Sequence, residues 1–162
     1  MIHQRKILKA IAYAILLCFT SLTGAQPLYA IPANTQLPTN PQIKVGDGIV
    51  EINTPEGSSN MTIDQGNLQT SVIEWGNFSI GADAAVNFKG PDGFNSLNYV
   101  ANGGPISEIY GQLTALGGNI FIANPAGVQI GNSAQINVGS IDVTNRELEQ
   151  SQLDANAGKN KG

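Results

Sequence analysis

One cysteine and one histidine are all that this sequence of 162 residues contains, and both lie within its first thirty positions, as Cys18 and His3. The same stretch opens with His3, Arg5, Lys6 and Lys9, runs apolar from Ala10 to Phe19, and ends in small residues that lead to Ala25 and Ala30. A basic start, a short apolar run and small residues, in that order, make a secretory signal peptide. The apolar run falls short of the ~20 residues that a membrane-spanning helix needs. Cleavage is expected near Ala30, after Leu28-Tyr29-Ala30, with Ala25 as the second candidate. A lipoprotein signal is disfavoured, because Leu17 stands directly before Cys18, where a small residue is required.

Removal of residues 1–30 leaves 132 residues without histidine or cysteine. That excludes Ser-His-Asp and Cys-His catalysis, thiol redox chemistry and His or Cys metal sites. It also excludes disulfides in an oxidising compartment. Five Lys+Arg remain against twelve Asp+Glu, a net charge of −7. Five scattered cations give no clustered basic face, so nucleic acid is not an expected partner. No cofactor and no metal are implied.

Long hydrophobic runs and helical periodicity are also missing from what is left. Residues 31–42, with Pro32, Pro38 and Pro41, read as an extended, poorly ordered leader. Residues 43–144 alternate apolar and polar positions at period two over short stretches, the mark of half-buried strands. Ile49/Glu51, Phe78/Ile80, Val86/Phe88, Ile120/Ile122, Val128/Ile130, Ile136/Val138 and Ile141/Val143 are examples. Turn formers separate them, among them Gly81-Ala82-Asp83, Gly90-Pro91-Asp92-Gly93, Gly103-Gly104-Pro105 and Gly117-Gly118-Asn119. Residues 145–162 form a polar, partly disordered tail, with a short helix expected only near Glu147 to Leu153.

An all-β domain follows, and its spacing narrows the choice. Ile120, Val128 and Ile136 lie eight residues apart, and each opens an apolar-x-apolar step. Short strands at a fixed interval predict a solenoid in which two or three strands make one coil. The 17 Asn and 18 Gly after residue 30 suit its many corners. A β-sandwich is the competing architecture, with strands nearer five or six residues. The expected fold is therefore a right-handed parallel β-helix (β-solenoid) with short capping strands, preceded by a signal-peptide helix. Its core is expected to hold Trp75, Phe78, Ile80, Val86, Phe88, Phe121, Ile120, Ile122, Val128, Ile130, Ile136 and Val138.

From Gly118 to Gly139 the residues resemble a known family. Gly118-Asn119-Ile120-Phe121-Ile122-Ala123-Asn124-Pro125-Ala126-Gly127-Val128-Gln129-Ile130-Gly131, followed by Ala134-Gln135-Ile136-Asn137-Val138-Gly139, is similar to the N-terminal secretion domain of filamentous haemagglutinin-like exoproteins. These are the passengers of two-partner secretion in Gram-negative bacteria. Upstream, Trp75-Gly76-Asn77-Phe78-Ser79-Ile80-Gly81, Val86-Asn87-Phe88, Leu97-Asn98-Tyr99-Val100 and Ser107-Glu108-Ile109-Tyr110-Gly111-Gln112-Leu113 resemble further motifs of that family, in its order. Ala126 stands where the family has a second Asn, Tyr99 where it usually has Arg, and Ser140 to Thr144 replaces a step richer in Gly and Ala. Family members generally continue far beyond the matched block, so the chain is expected to be a gene fragment, a truncated relative or a stand-alone short protein.

The resemblance implies a secreted or cell-surface, non-enzymatic exoprotein that crosses the periplasm. Its partner would be an outer-membrane β-barrel transporter with periplasmic domains, and its fold would template β-helix formation. The residues of the secretion motif, by resemblance, are Asn124, Pro125, Gly127 and Asn98. From composition alone, Asn124-Pro125-Ala126-Gly127 is a turn. Two other functions stay open: a short adhesin binding glycans on a host or neighbouring cell surface, and a polysaccharide-active β-helix enzyme. For the enzyme, Glu74 with Asp83 or Asp64 with Glu108 are the candidate acid–base pairs. These acids sit singly beside turns and read better as solvated corners. Gly46-Asp47-Gly48 lacks the tandem repeat of a calcium-binding roll.

Overall fold

The computed structural model describes residues 32–148, and every regular element among them is a strand. The signal-peptide region and nearly all of the tail lie outside the described residues. Of the short helix expected near Glu147 to Leu153, only Glu147 and Leu148 are described, and they are not helical.

Ten strands build three stacks. On side A, β2 (Glu51–Asn53), β3 (Asn60–Asp64), β5 (Ala85–Lys89) and the first halves of β8 (Gln112–Ala123) and β10 (Gln135–Thr144) lie in order. On side B the order is β1 (Gln42–Val45), β4 (Thr70–Trp75), β6 (Asn95–Val100) and the second halves of β8 and β10. Side C holds Ile80, β7 (Ser107–Ile109) and β9 (Val128–Ile130). From β5 onward each strand is parallel to the one below it. The chain thus winds round a three-sided solenoid of about four coils. The eight-residue step from Ile120 to Val128 to Ile136 carries the chain from side B to C to A, one side per step.

Parallel stacking turns period-two alternation into columns. Met61, Val86, Leu113 and Ile136 stand one above another on side A. Ile80, Ile109 and Ile130 do so on side C. The middle of each column is fully removed from water, with Ile63, Ile73, Ile80, Val86, Ile109, Leu113 and Ile120 at 0% exposure. Burying an aliphatic side chain of this size stabilises by roughly 1.5–3 kcal/mol, so the columns supply most of what holds the coils together.

Three expectations change. Ile130 is 50% exposed, and Val128, Ile136 and Val138 are only partly buried. They point inward, but they belong to the last coils, over which no further strand lies among the described residues. Phe121 is only half-buried, because its neighbours Ile120 and Ile122 take the inward positions and leave its ring on the outer face beside Leu97. Finally, residues 32–41 are extended but not loose. Gly81 N–H donates to Gln36 O at 2.9 Å, Asp83 N–H to Asn34 O at 2.8 Å, and Thr39 N–H to Asn77 O at 2.9 Å. Pro38 is buried, and Leu37 packs on the core. The prolines remove few donors that this edge needs, so they do not prevent docking.

Candidate functional site

Asn124 directly follows β8 at the corner between sides B and C. Its side chain is fully buried and fully bonded. Nδ2 donates to Pro105 O and to Ser107 Oγ, each at 2.8 Å, both on the coil below. Oδ1 accepts from Ala126 N–H at 2.9 Å, while Gly127 N–H closes the turn onto Asn124 O at 2.8 Å. The backbone N–H of Asn124 reaches the coil above, at Thr144 O, 3.0 Å away. Asn suits this place because only a side-chain amide offers two donors and one acceptor in such a small volume. Pro125 presets the corner's φ, and Gly127 takes a φ of 109°, which an L side chain resists. Gly127 O in turn accepts from Ser107 N–H at 3.0 Å. Of the four turn residues Asn124 to Gly127, only Ala126 is exposed.

Asn98 occupies an inward position of β6, also at 0% exposure. Its Oδ1 accepts from Trp75 Nε1 at 3.0 Å, and its Nδ2 donates to Ser96 O at 3.2 Å and to Ser96 Oγ at 3.3 Å. The network continues downward: Ser71 Oγ lies 3.1 Å from Ser96 Oγ and donates to Gln65 Oε1 at 2.9 Å, and Gln65 Nε2 donates to Leu68 O. A polar seam therefore runs inside side B, where an apolar column would be expected. Every member of it is paired, which is the condition under which buried polar groups are tolerated. Trp75 is fixed further by an edge-on contact with Phe78, ring centres 5.6 Å apart at 64°. Asn98 and Asn124 lie on different coils and share no hydrogen bond, so the structure places the two asparagines in separate networks.

The glycines of the matched motifs are explained by close approach. A Cβ on Gly118 would meet the Phe94 ring at 2.2 Å, and one on Gly131 would meet the Tyr110 ring at 2.2 Å. The aromatic ring of one coil packs against the glycine of the next. On the outer face, Tyr99 donates its hydroxyl to Glu74 Oε2 at 2.6 Å, and Lys44 Nζ stands 3.1 Å from the same oxygen. The hydrogen bond from the Tyr99 hydroxyl holds the Glu74 carboxyl below the ordinary carboxylate value; burial opposes it, and the Lys44 hydrogen bond and charge add smaller contributions in the same direction as Tyr99. Burial and the Glu74 charge push the Tyr99 hydroxyl up. Tyr99 thus keeps a donor for Glu74 at the position where the resembling family has Arg.

The candidate acids are dispersed in role. Glu74 belongs to this outer cluster, Asp64 accepts from Gly66 N–H in a local turn, Asp83 is an exposed corner, and Glu108 is largely buried on side C. Among the described residues no group of three or more His, Cys, Asp or Glu is placed to hold a metal ion. A shallow groove on the outer face of side B is lined by Leu97, Phe121, Asp142, Thr144, Arg146 and Leu148. Sequence reasoning found the corners and missed the polar seam. Ser71 and Ser96 gave a faint signal, since both fall in phase with apolar inward neighbours.

Residues 31–159 match the TPS secretion domain, the secretion domain of two-partner secretion exoproteins. The chain belongs to this family. Two relatives are heme/hemopexin-binding proteins of Haemophilus influenzae. One is 39% identical over 147 residues, covering 90% of the chain and 15% of the relative. The other is 32% identical over 142 residues, covering 88% and 14%. The chain therefore spans about one seventh of the length of these relatives. The secretion domain of HMW1 from Haemophilus influenzae has the same fold, with a TM-score of 0.63 at 21% identity over 73% of this chain and 30% of that one. In this TPS domain the matched Asn-Pro and Gly motifs are corner and contact residues. Their side chains face other coils far more than solvent.

Proposed function

We propose that this TPS domain directs export through a partner outer-membrane β-barrel transporter with periplasmic domains, and that the transporter reads the motif around Asn124 and Asn98 in the extended chain. The burial of both asparagines supports the second half of this reading. Once the solenoid has formed, Asn124 and Asn98 offer no surface to a partner, so recognition that depends on them has to precede folding. A Gly- and Asn-rich segment with few charges suits strand addition to a partner's sheet edge. The absence of cysteine after residue 30 leaves no covalent lock before transport. Export begins with the signal peptide, and the family match starting at Ile31 supports cleavage after Ala30.

After emergence, the edge of β10, uncovered among the described residues, offers a template on which any further coil of a longer exoprotein would stack. What the Haemophilus relatives bind is carried by proteins about six times as long, and no ligand of that kind is assigned to this domain.

The test separates sequence from fold. Ile109→Asp buries a charge in the core and removes the fold while leaving every asparagine in place. The periplasmic domains of the co-expressed transporter are expected to capture this variant as well as they capture urea-unfolded wild type. They should capture Asn124→Ala, also unfolded, more weakly. Capture of folded wild type alone would overturn the reading.

A further inference from the structure

The strands below the first parallel coil run the wrong way, and they do so in a single pattern. Asn53 pairs with Thr62 and Glu51 with Asp64 on side A. Val45 pairs with Val72, Ile43 with Ile73 and Gln42 with Glu74 on side B. Thr39 pairs with Asn77, and the bonds of Gly81 to Gln36 and of Asp83 to Asn34 extend the series on side C. All these pairs are antiparallel and nested about one turn, Pro55 to Ser58, where Ser58 N–H donates to Pro55 O at 2.9 Å. Residues 34–83 are therefore one long β-hairpin wrapped round the three sides of the solenoid. Its first arm is the cap, and its second arm is the first coil.

The two arms also turn their corners together. The Gly46–Val50 turn sits against the Gln65–Leu68 turn, so that a Cβ on Gly46 would meet Leu68 at 2.7 Å. At the next corner Asn40, the only non-glycine residue with positive φ among those described, faces Gly76, whose added Cβ would meet it at 3.0 Å. A parallel coil needs a lower coil to stack upon, and the first coil has none. The hairpin removes that requirement. Each pair closed from the tip outward lengthens an existing loop slightly, and loop-closure entropy rises only slowly with length. Each later coil must instead close a fresh loop before its parallel contacts form.

We infer that residues 34–83 are the folding nucleus of this domain, a hairpin that closes at Pro55–Ser58 and zips outward, with the later coils added in chain order. The inference concerns folding alone and does not rest on what the transporter reads. Gly57 and Gly117 allow a matched test, because their φ values are 70° and 72° and neither would bring a Cβ within 4 Å of another group. Alanine at either site adds the same local strain and nothing else. For the mature chain, Gly57→Ala is expected to slow refolding about fivefold and leave unfolding nearly unchanged, whereas Gly117→Ala speeds unfolding about fivefold and leaves refolding nearly unchanged. Refolding slowed by Gly117→Ala, or indifferent to Gly57→Ala, would overturn the inference. Pulse-labelled hydrogen exchange on wild type gives an independent reading that no failed variant can obscure. Amides of β2 and β3 should be protected first and those of β10 last; simultaneous protection, or β8 and β10 first, would also overturn it.

Discussion

The two ends of the solenoid are built from similar residues and have opposite fates. At the N-terminal end, β2, β1 and the segment around Thr39 cover all three sides of the first coil. At the other end β10 and β9 have no strand above them among the described residues. The columns show the consequence: Ile80 and Ile109 are sealed, while Ile130, the next member of the same column, is 50% exposed. An isoleucine in the right phase is buried only if a neighbouring coil exists on both sides. Burial in a solenoid is thus a property of the stack, and the residue's own strand does not determine it.

The strongest way to break this contrast is to charge the same column at two heights. Ile109→Asp should destabilise by roughly 4–5 kcal/mol and unfold the domain. Ile130→Asp, whose carboxylate can reach water, should cost no more than about 1 kcal/mol. Thermal melting followed by circular dichroism would decide it. Equal losses at the two positions would mean that the last coil is as closed as the second.

The second effect is smaller and lies near the open end. Asn124→Ala leaves the part-buried Pro105 O and the buried Ser107 Oγ without their donor. At about 1–3 kcal/mol for each buried group left unpaired, a loss of about 2–4 kcal/mol is expected. That exceeds the cost of a simple surface turn, and the domain should melt earlier while keeping its strand signal. Secreted yield has to be compared with this loss, because some of any export defect will come from stability.

How far the sequence discloses this architecture depends on which contacts are local. Alternation and the eight-residue step made the strands and a solenoid of two or three strands per coil legible, since each needs only a residue and its near neighbours. Gly118 and Gly131 were visible as motif members, but the Phe94 and Tyr110 rings that require them lie on other coils. The leader was misjudged for a similar reason. Its prolines argue against a central strand, yet its hydrogen bonds are to residues 77–83, roughly forty positions on. The polar seam was only faintly legible, because Ser71, Ser96 and Asn98, though in phase with apolar inward neighbours, are polar residues whose partners, Gln65 and Trp75, are apparent only once placed beside them. The candidate site was legible as a turn, but its burial was not.

A third test sharpens the closed end through pH. Lys44 on β1, Glu74 on β4 and Tyr99 on β6 tie the cap to the first two coils of side B. Glu74 has a depressed folded-state pKa, so its contribution is whole above its ordinary value of 4.5 and disappears as pH falls through the lower folded value. Tyr99 is shifted upward, so its contribution is whole below 10 and declines as pH rises beyond that. The carboxylate keeps partial contact with water and pairs with a more exposed lysine, so the acid-side effect should stay under about 1 kcal/mol. Melting of Glu74→Gln, compared with wild type at pH 7 and pH 3, should show a difference at pH 7 that shrinks at pH 3. A difference that is constant with pH would remove the cluster from the account of the cap.

The smallest structural effect is expected at Ala126, and it carries the sharpest functional reading. Ala126 is the exposed residue of the Asn124 turn and has a negative φ, so an asparagine fits there without strain. Its side chain would face water, and Ala126→Asn should change stability by no more than about 0.5 kcal/mol. Any change in export therefore cannot come from the fold. If the transporter reads the extended motif, an asparagine at the position where resembling exoproteins carry one should raise the secreted yield while the melting temperature stays where it was. The measurement is the ratio of secreted to cell-retained protein with the transporter co-expressed, beside the melting curve of the purified variant. Unchanged export would confine position 126 to the turn and leave recognition to other residues of the unfolded chain.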